Sequence, residues 1–226
     1  MAYAFIGNVE AQSPAGAGGF TTGTLDTTGS SIIVAVLCNY TGVTGLTFTD
    51  NKSNTYTALA NKNAEANGTV RIYYAVNPTV GSGHTFTIGG TLPGASLCVM
   101  AFSGANTSSP FDQQNGANSL VTQSGSITPT QDSELVVAGW GIGSVTSAPT
   151  IDSGFATVTF KADIVGQCYG AAMSYKIQTT AAAVNPTWSI SGGCVIASFK
   201  IPAAAATFAG ATIKRPGLTA RSVLCG

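Results

Sequence analysis

Hydrophobic and polar residues alternate with a period of two along much of the chain. In VRIYYAV, Val70, Ile72, Tyr74 and Val76 fall on one face. Leu46 and Phe48 do the same in LTFTD, and Phe86 and Ile88 in HTFTI. In MSYKIQ, Met173, Tyr175 and Ile177 alternate with Ser174, Lys176 and Gln178. A strand turns successive side chains to opposite sides, so this pattern buries one side and wets the other. Four further runs are almost wholly apolar: IIVAVLC (32–38), LCVMAF (97–102), LVVAGW (135–140) and CVIASF (194–199). Such runs suit central strands of a sandwich. Turn-forming stretches separate them, among them NKSN, NPTVGSG, GGTLPG, SGANTSSP and SAPTIDSG. Helical periodicity is nearly absent; only Pro202 followed by four alanines offers a helix start.

The two halves of this pattern superimpose. DNKSNTYTALA (50–60) aligns with DSGFATVTFKA (152–162), RIYYAV (71–76) with AMSYKI (172–177), and TFTIGG with TWSISG, at an offset of 101–102 residues. Asp50 then matches Asp152, Tyr74 matches Tyr175 and Phe86 matches Trp188. The last apolar runs match at an offset near 96. The pattern predicts an all-β chain: a two-sheet antiparallel β-sandwich, jelly-roll-like, of about ten strands with weak internal duplication. The sandwich is expected over 1–202 and a C-terminal extended arm over 203–226. Two Ig-like domains in series are the alternative. The stretch joining the halves (108–130) carries Phe111, Leu120, Val121 and Ile127 and reads as a crossing strand, which favours one sandwich of interleaved halves.

Several short motifs resemble a family of β-sandwich domains common in bacteriophage virion genes and large bacterial surface proteins. They are Asp50 with Asn54–Tyr56, Tyr73–Ala75, Ala101–Gly104, Ser133–Trp140 and Ala181–Trp188, spread over residues 25 to 201. The resemblance implies a non-enzymatic structural or adhesive module, and it brings no catalytic residues or cofactors with it.

Composition narrows the functional classes. Charged residues make up 8% of the chain and the formal net charge is zero, whereas an ordinary soluble domain has about 25% charged residues. Thr and Ser hydroxyls keep such a surface wet, but near-zero charge weakens the repulsion between copies. Six bases against nine acids precede residue 214, and Lys214, Arg215 and Arg221 follow. That split is too small for a nucleic-acid binder. The first residues, MAYAFIGNVE, have no basic n-region or long apolar core, and no run approaches a membrane span. The expected protein is a complete soluble one, made in the host cytoplasm.

Candidate chemistry is sparse. Cys38, Cys98, Cys168, Cys194 and Cys225 include no C-x-x-C pair, and Cys38, Cys98 and Cys194 read as small buried hydrophobes. His84 is the sole histidine and reads as a half-covered residue at a strand edge; any Ser/His/Asp triad would have to use it. Asp50, Asp132, Asp152 and Asp163 lie at turns, where Asp caps backbone N–H groups. Asp50 with Asn51 and Asn54 is the one candidate for calcium. GIGS (141–144) and GAGG (16–19) read as β-connections, since neither precedes a helix. Trp140 and Trp188 read as core, and Tyr40 and Phe111 as the exposed aromatics on which a glycan would stack.

The end of the chain combines apolar knobs with bases. Phe208, Ile213, Lys214, Arg215, Leu218, Arg221, Val223, Leu224 and Cys225 read as a docking arm laid across another subunit, Cys225 being a candidate for an intermolecular disulfide. The expected function is a bacteriophage virion structural protein, a capsid decoration (cement) protein or a tail component. Its expected partners are itself, as a homotrimer, and the major capsid or tail proteins, with the virion as its location. The alternative is a carbohydrate-binding, adhesive module for host-surface glycan. No cofactor, metal, nucleic acid or membrane partner is expected.

Overall fold

The computed structural model describes residues 2–13, 18–40, 44–65, 68–91, 94–162 and 169–203. Among these residues there are fourteen strands and no helix. The long strands are β1 (Ala4–Gln12), β3 (Ile32–Tyr40), β4 (Thr44–Asp50), β7 (Gly68–Val76), β9 (Ala95–Ser103), β10 (Phe111–Gln123), β11 (Glu134–Gly143), β13 (Tyr169–Gln178) and β14 (Thr187–Phe199). The shorter ones are β2 (Phe20–Thr21), β5 (Thr57–Ala58), β6 (Lys62–Glu65), β8 (Phe86–Thr91) and β12 (Ala156–Lys161). The count exceeds the expected ten mainly because the short edge pieces have too few residues to show a period.

All pairing is antiparallel and stays within one half of the chain. The first half forms a sheet in the order β1-β9-β3-β7-β5, with β6 also on β7, and a small sheet β2-β8-β4. The second half forms β10-β14-β11-β13-β12. The two large sheets therefore have the same order, each written by one half. The sandwich holds, but its halves do not interleave: the joining stretch becomes β10, the edge of the second sheet, and does not cross between sheets.

Equivalent bonds show the duplication. Leu25 and His84 exchange N–H···O bonds of 2.8 and 3.0 Å, as Ile127 and Val184 do at 3.1 and 2.9 Å. Asn51 N–H donates to Thr85 O at 3.2 Å, as Asp152 N–H does to Thr187 O at 3.2 Å. Phe5 pairs with Phe102, and Phe111 with Phe199, each pair followed at once by a register shift.

The layers follow from alternation. One face of β3 and β9 (Ile32, Val34, Val36, Cys98, Met100, Phe102) packs against Leu135, Val137, Met173, Val195 and Phe199 of the second sheet. The halves thus close one core together. The opposite face of β3 and β9 (Ile33, Ala35, Leu37, Leu97, Val99) is covered by Phe20, Phe86 and Ile88 of the small sheet. Having apolar neighbours on both sides is why these two strands read as continuous apolar runs. The outer face of the second sheet (Val136, Ala138, Trp140, Ile196) is roofed by Ile127, Val145 and Val184 from its loops and by Trp188 at the start of β14.

Glycine allows the large sheets to meet. A Cβ on Gly139 would stand 2.8 Å from Val36 Cγ2, and one on Gly141 would press on Cys38 Sγ. Gly141 to Gly143 therefore belong to a strand packed against its neighbour, not to a connection as the glycine-rich composition suggested.

Candidate functional site

Three polar constellations bear on function. In the first, β4 ends at Asp50 and its carboxylate gathers donors from the following turn. Oδ1 accepts Lys52 N–H at 2.9 Å and Asn54 N–H at 3.0 Å. Oδ2 accepts Asn54 Nδ2 at 2.8 Å and the Tyr56 hydroxyl at 2.7 Å. His84 Nε2 lies 2.9 Å from Oδ2, with neither side chain exposed. Its N–H is not aligned on that oxygen, so the contact is electrostatic. On the other side of the ring, Nδ1 is 2.9 Å from Thr27 Oγ1, which also accepts Gly81 N–H at 3.1 Å. The imidazole stacks on Phe86 at 4.4 Å. Burial acts upward on the Asp50 pKa, but the hydrogen bonds from Tyr56 and Asn54, with the close His84 ring, outweigh it and bring it to about 2.

His84 is thus not the half-covered edge residue its place in the sequence suggested. The Leu25–His84 bridge and the small sheet enclose it completely. Thr27, His84 and Asp50 stand in the sequence of a nucleophile triad, but Thr27 and His84 are both buried and no substrate reaches them. The chemistry this geometry performs is cross-linking: one carboxylate ties the β4 turn to the small sheet. Asn51 and Asn54 hold the same loops, with Thr85 N–H on Asn51 Oδ1 at 3.1 Å and Thr79 N–H on Asn54 Oδ1 at 2.6 Å. Every oxygen of the calcium candidate is thus already engaged by a donor. The other aspartates also serve backbone: Asp152 Oδ1 accepts Thr187 N–H at 2.7 Å and Asp132 Oδ1 accepts Ala181 N–H at 2.6 Å. Asp163 lies outside the described residues.

The second constellation joins Tyr3 near the start of the described residues to Lys200 and Ile201 near their end. Glu134, the first residue of β11, is fully buried. Its Oε1 accepts the N–H groups of Thr130 and Gln131, both at 3.0 Å. Asp112 of β10 accepts Thr130 N–H at 2.8 Å and meets Lys200 Nζ at 2.9 Å. Burial pushes the Glu134 carboxyl above the ordinary carboxylate range and the neighbouring Asp112 adds to this, against donors from Ser198 and Gln131. Burial also acts upward on Asp112, but Lys200 and Thr130 overcome it and hold that group low. The Tyr3 hydroxyl donates to Lys200 O at 2.9 Å and Gln131 Nε2 to Ile201 O at 3.0 Å. The exit of the chain from the sandwich is thus clamped. Little in the sequence marks out Glu134, a single acid opening the apolar run ELVVAGW.

The third lies on the far part of β10. Pairing with β14 jumps from Ala117↔Cys194 to Val121↔Gly192, so 118–120 bulge out. Ser119 takes a positive φ of 71° there, and Leu120 is 56% exposed, the most exposed large hydrophobic among the described residues. Beside the bulge opens a cleft of about 440 Å³, lined by Leu120, Val121, Thr122, Gln123, Gly125 and Asn185. Gln123 Nε2 donates to Thr187 Oγ1 at 3.0 Å. Asn185 Oδ1 is buried without a hydrogen-bond partner.

The expected glycan aromatics are elsewhere and half-covered. Phe111 lies between Tyr74 and Phe199, at 6.0 and 6.4 Å, and Tyr40 faces Tyr169 at 6.3 Å. Trp140 and Trp188 are core, 6.5 Å apart, with Trp140 Nε1 donating to Ile190 O at 2.9 Å. The buried thiols are Cys38, Cys98 and Cys194. The arm residues Phe208, Ile213, Lys214, Arg215, Leu218, Arg221, Val223, Leu224 and Cys225, with Cys168, lie outside the described residues. No described helix is long and apolar enough to cross a membrane.

The fold defines the class, an all-β sandwich. Compared with known protein families, curated proteins and solved structures, the chain matches none.

Proposed function

We propose that the protein is a structural component of a bacteriophage virion, a capsid decoration (cement) protein or a tail component. It acts by packing against other subunits and by docking its C-terminal arm. One observation carries this reading: the groups most capable of chemistry are consumed in holding the fold. His84 and Asp50 are sealed inside it, and Asp132 and Asp152 each hold a backbone N–H of another loop. What is left outside is a rigid block of small polar residues with little charge, suited to contact with neighbours rather than to turnover. The motifs that resemble virion domains supply the particle as its place, and a homotrimer beside the major capsid or tail proteins as its setting.

The reading is tested by locating the protein on purified particles with an antibody or a bulky tag. Regular decoration of the shell or labelling of the tail supports it, and particles free of the protein overturn it.

A further inference from the structure

Three segments of this chain open in the same way. β1 contains Phe5-Ile-Gly7-Asn-Val9, and the tail contains Phe208-Ala-Gly210-Ala-Thr212. β10 begins at Phe111, nine residues after Phe102, and Phe208 stands nine residues after Phe199. In the fold Phe5 lies opposite Phe102 and Phe111 opposite Phe199, each followed by a register shift of the ladder. Each half therefore starts with an edge strand laid against its own last strand. Residues 208–213 repeat that opening, free of charge and of proline, but only thirteen residues follow Ile213. That is too short a length for another sheet. An opening strand without a sheet of its own needs an edge from outside.

The two halves offer different edges. On β10, Asp112 and Gln113 accept the N–H groups of Thr130 and Thr128 at 2.8 and 2.9 Å. Gln114 accepts Ala60 N–H at 2.9 Å, and Asn115 Nδ2 donates to Ser126 O at 2.9 Å. These side chains fasten neighbouring loops to the strand, and the bulge at 118–120 breaks its ladder, so that edge is blunted. Their counterparts on β1 are Ile6, Gly7, Asn8 and Val9, three of which have no polar side chain to fasten anything. Ser13 N–H donates to Ala95 O at 2.9 Å, which fixes the phase of the β1–β9 ladder. Gly7, Val9 and Ala11 then bond to β9, and the N–H and C=O groups of Asn8, Glu10 and Gln12 point away from it. No described strand pairs on that side of β1, and none of its nine residues is fully buried. β1 also lacks the proline or lysine that would ward off a partner.

We propose that residues 208–213 of one copy pair as an added antiparallel strand with the outer edge of β1 in a second copy, along Asn8, Glu10 and Gln12. This rests on the docking-arm reading and names the surface that receives the arm. Charge agrees with it: Glu10 is the one charged residue of β1, and Lys214 and Arg215 directly follow the added strand. Direction favours a second copy over the same one. The Tyr3 hydroxyl bonds Lys200 O at 2.9 Å, so the chain leaves the sandwich at the end where β1 begins. Added to its own β1, the tail would run parallel to it, whereas every strand pair described in this fold is antiparallel. Each copy gives one tail and receives one, which closes a ring such as the homotrimer.

The test compares the full chain with a chain ending at Ala203 and with Glu10→Pro, in reductant so that Cys225 forms no disulfide. Proline at position 10 removes an outward N–H that has no partner within the fold, a place where an edge strand accepts it. Glu10→Lys keeps the N–H and reverses the charge, and carries the edge arm of the test alone if Glu10→Pro does not fold. Sedimentation and amide hydrogen exchange are read at about 10 μM and about 500 μM protein. The full chain is expected to assemble, with the amides of Asn8, Glu10 and Gln12 exchanging about tenfold or more slowly in the assembly. The truncated chain and Glu10→Pro should each stay monomeric, and Glu10→Lys should assemble more weakly, most of all at low salt. Mixed together, the truncated chain (an edge without a tail) and Glu10→Pro (a tail without an edge) should form a one-to-one pair. The proposal is overturned if the full chain is monomeric throughout or assembles as well without residues 204–226. It is equally overturned if neither variant at position 10 weakens assembly, or if the three amides are protected in a monomer, the tail then lying on its own copy. Assembly in solution and location on particles are separate measurements, so this proposal and the virion reading fail separately.

Discussion

His84 Nε2 and Asp50 Oδ2 lie 2.9 Å apart with both side chains out of contact with solvent, one on each side of the junction between the small sheet and the β4 turn. Asp152, which the sequence offset sets against Asp50, takes the place of Asn51 in the fold: each donates its N–H to a threonine carbonyl and accepts that threonine's N–H on Oδ1 (Thr187 and Thr85). It lies in an exposed turn, so the two aspartates differ in what their removal leaves behind.

Asp50→Ala strips the acceptor from Tyr56, Asn54 and the buried His84 together. It is expected to lower the unfolding free energy by about 3 kcal/mol, whereas Asp152→Ala should cost about 1 kcal/mol or less. Urea unfolding of the two variants checks the contrast; equal losses would show that burial of the pair is immaterial.

The same carboxylate sets an acid limit. Its folded pKa of about 2 lies below the ordinary value of 3.8, so its stabilisation is complete above the latter. It disappears as pH falls through the window between the two. Wild-type protein should lose stability over this range more steeply than Asp50→Asn, as followed by melting temperature.

Glu134 carries the opposite sign. Its pKa is raised in the folded protein, so the native state holds a proton that the unfolded chain releases from its ordinary value of 4.5 upward. Stability then falls as pH rises through this interval. Glu134→Gln keeps the acceptor for Thr130 and Gln131 without the charge. Its melting temperature should exceed that of the wild type at pH 8, with the difference shrinking towards pH 4. A wild type that melts higher than the variant at alkaline pH would count against a proton held on Glu134 in the folded state.

The contact between the large sheets depends on two missing side chains. Gly139→Ala and Gly141→Ala each place a methyl group against the facing sheet, at Val36 and at Cys38. Each is expected to cost about 1–3 kcal/mol by overpacking, read by urea unfolding.

Cys38, Cys98 and Cys194 are buried, and burial pushes the Cys194 thiol up to about 12. A thiolate-selective alkylating agent should leave all three unmodified in native protein and modify them only in denaturant. Mass spectrometry of digested protein distinguishes the two patterns.

The sequence by itself determined the strand content, the duplication and most of the core. Period-two runs report burial directly, and Trp140, Trp188 and the apolar runs lie inside as their patterns require. The turn role of Asp50 was equally legible, since it caps the N–H groups of Lys52 and Asn54 in its own turn, whereas Asp132 and Asp152 hold N–H groups of loops far along the chain. Tertiary structure alone decided that each half makes one of the two large sheets. Alternation tells which side of a strand is buried, but not which strand lies beside it. It also decided the fate of His84 and Glu134. His84 reads as a half-covered strand-edge residue and Glu134 as a lone acid opening an apolar run, yet each is fully covered by chain from elsewhere: His84 by Leu25 and Asp50, Glu134 by Asp112 and the Thr130 loop. Burial of a polar group depends on partners brought from far along the chain, and a linear pattern has no term for them.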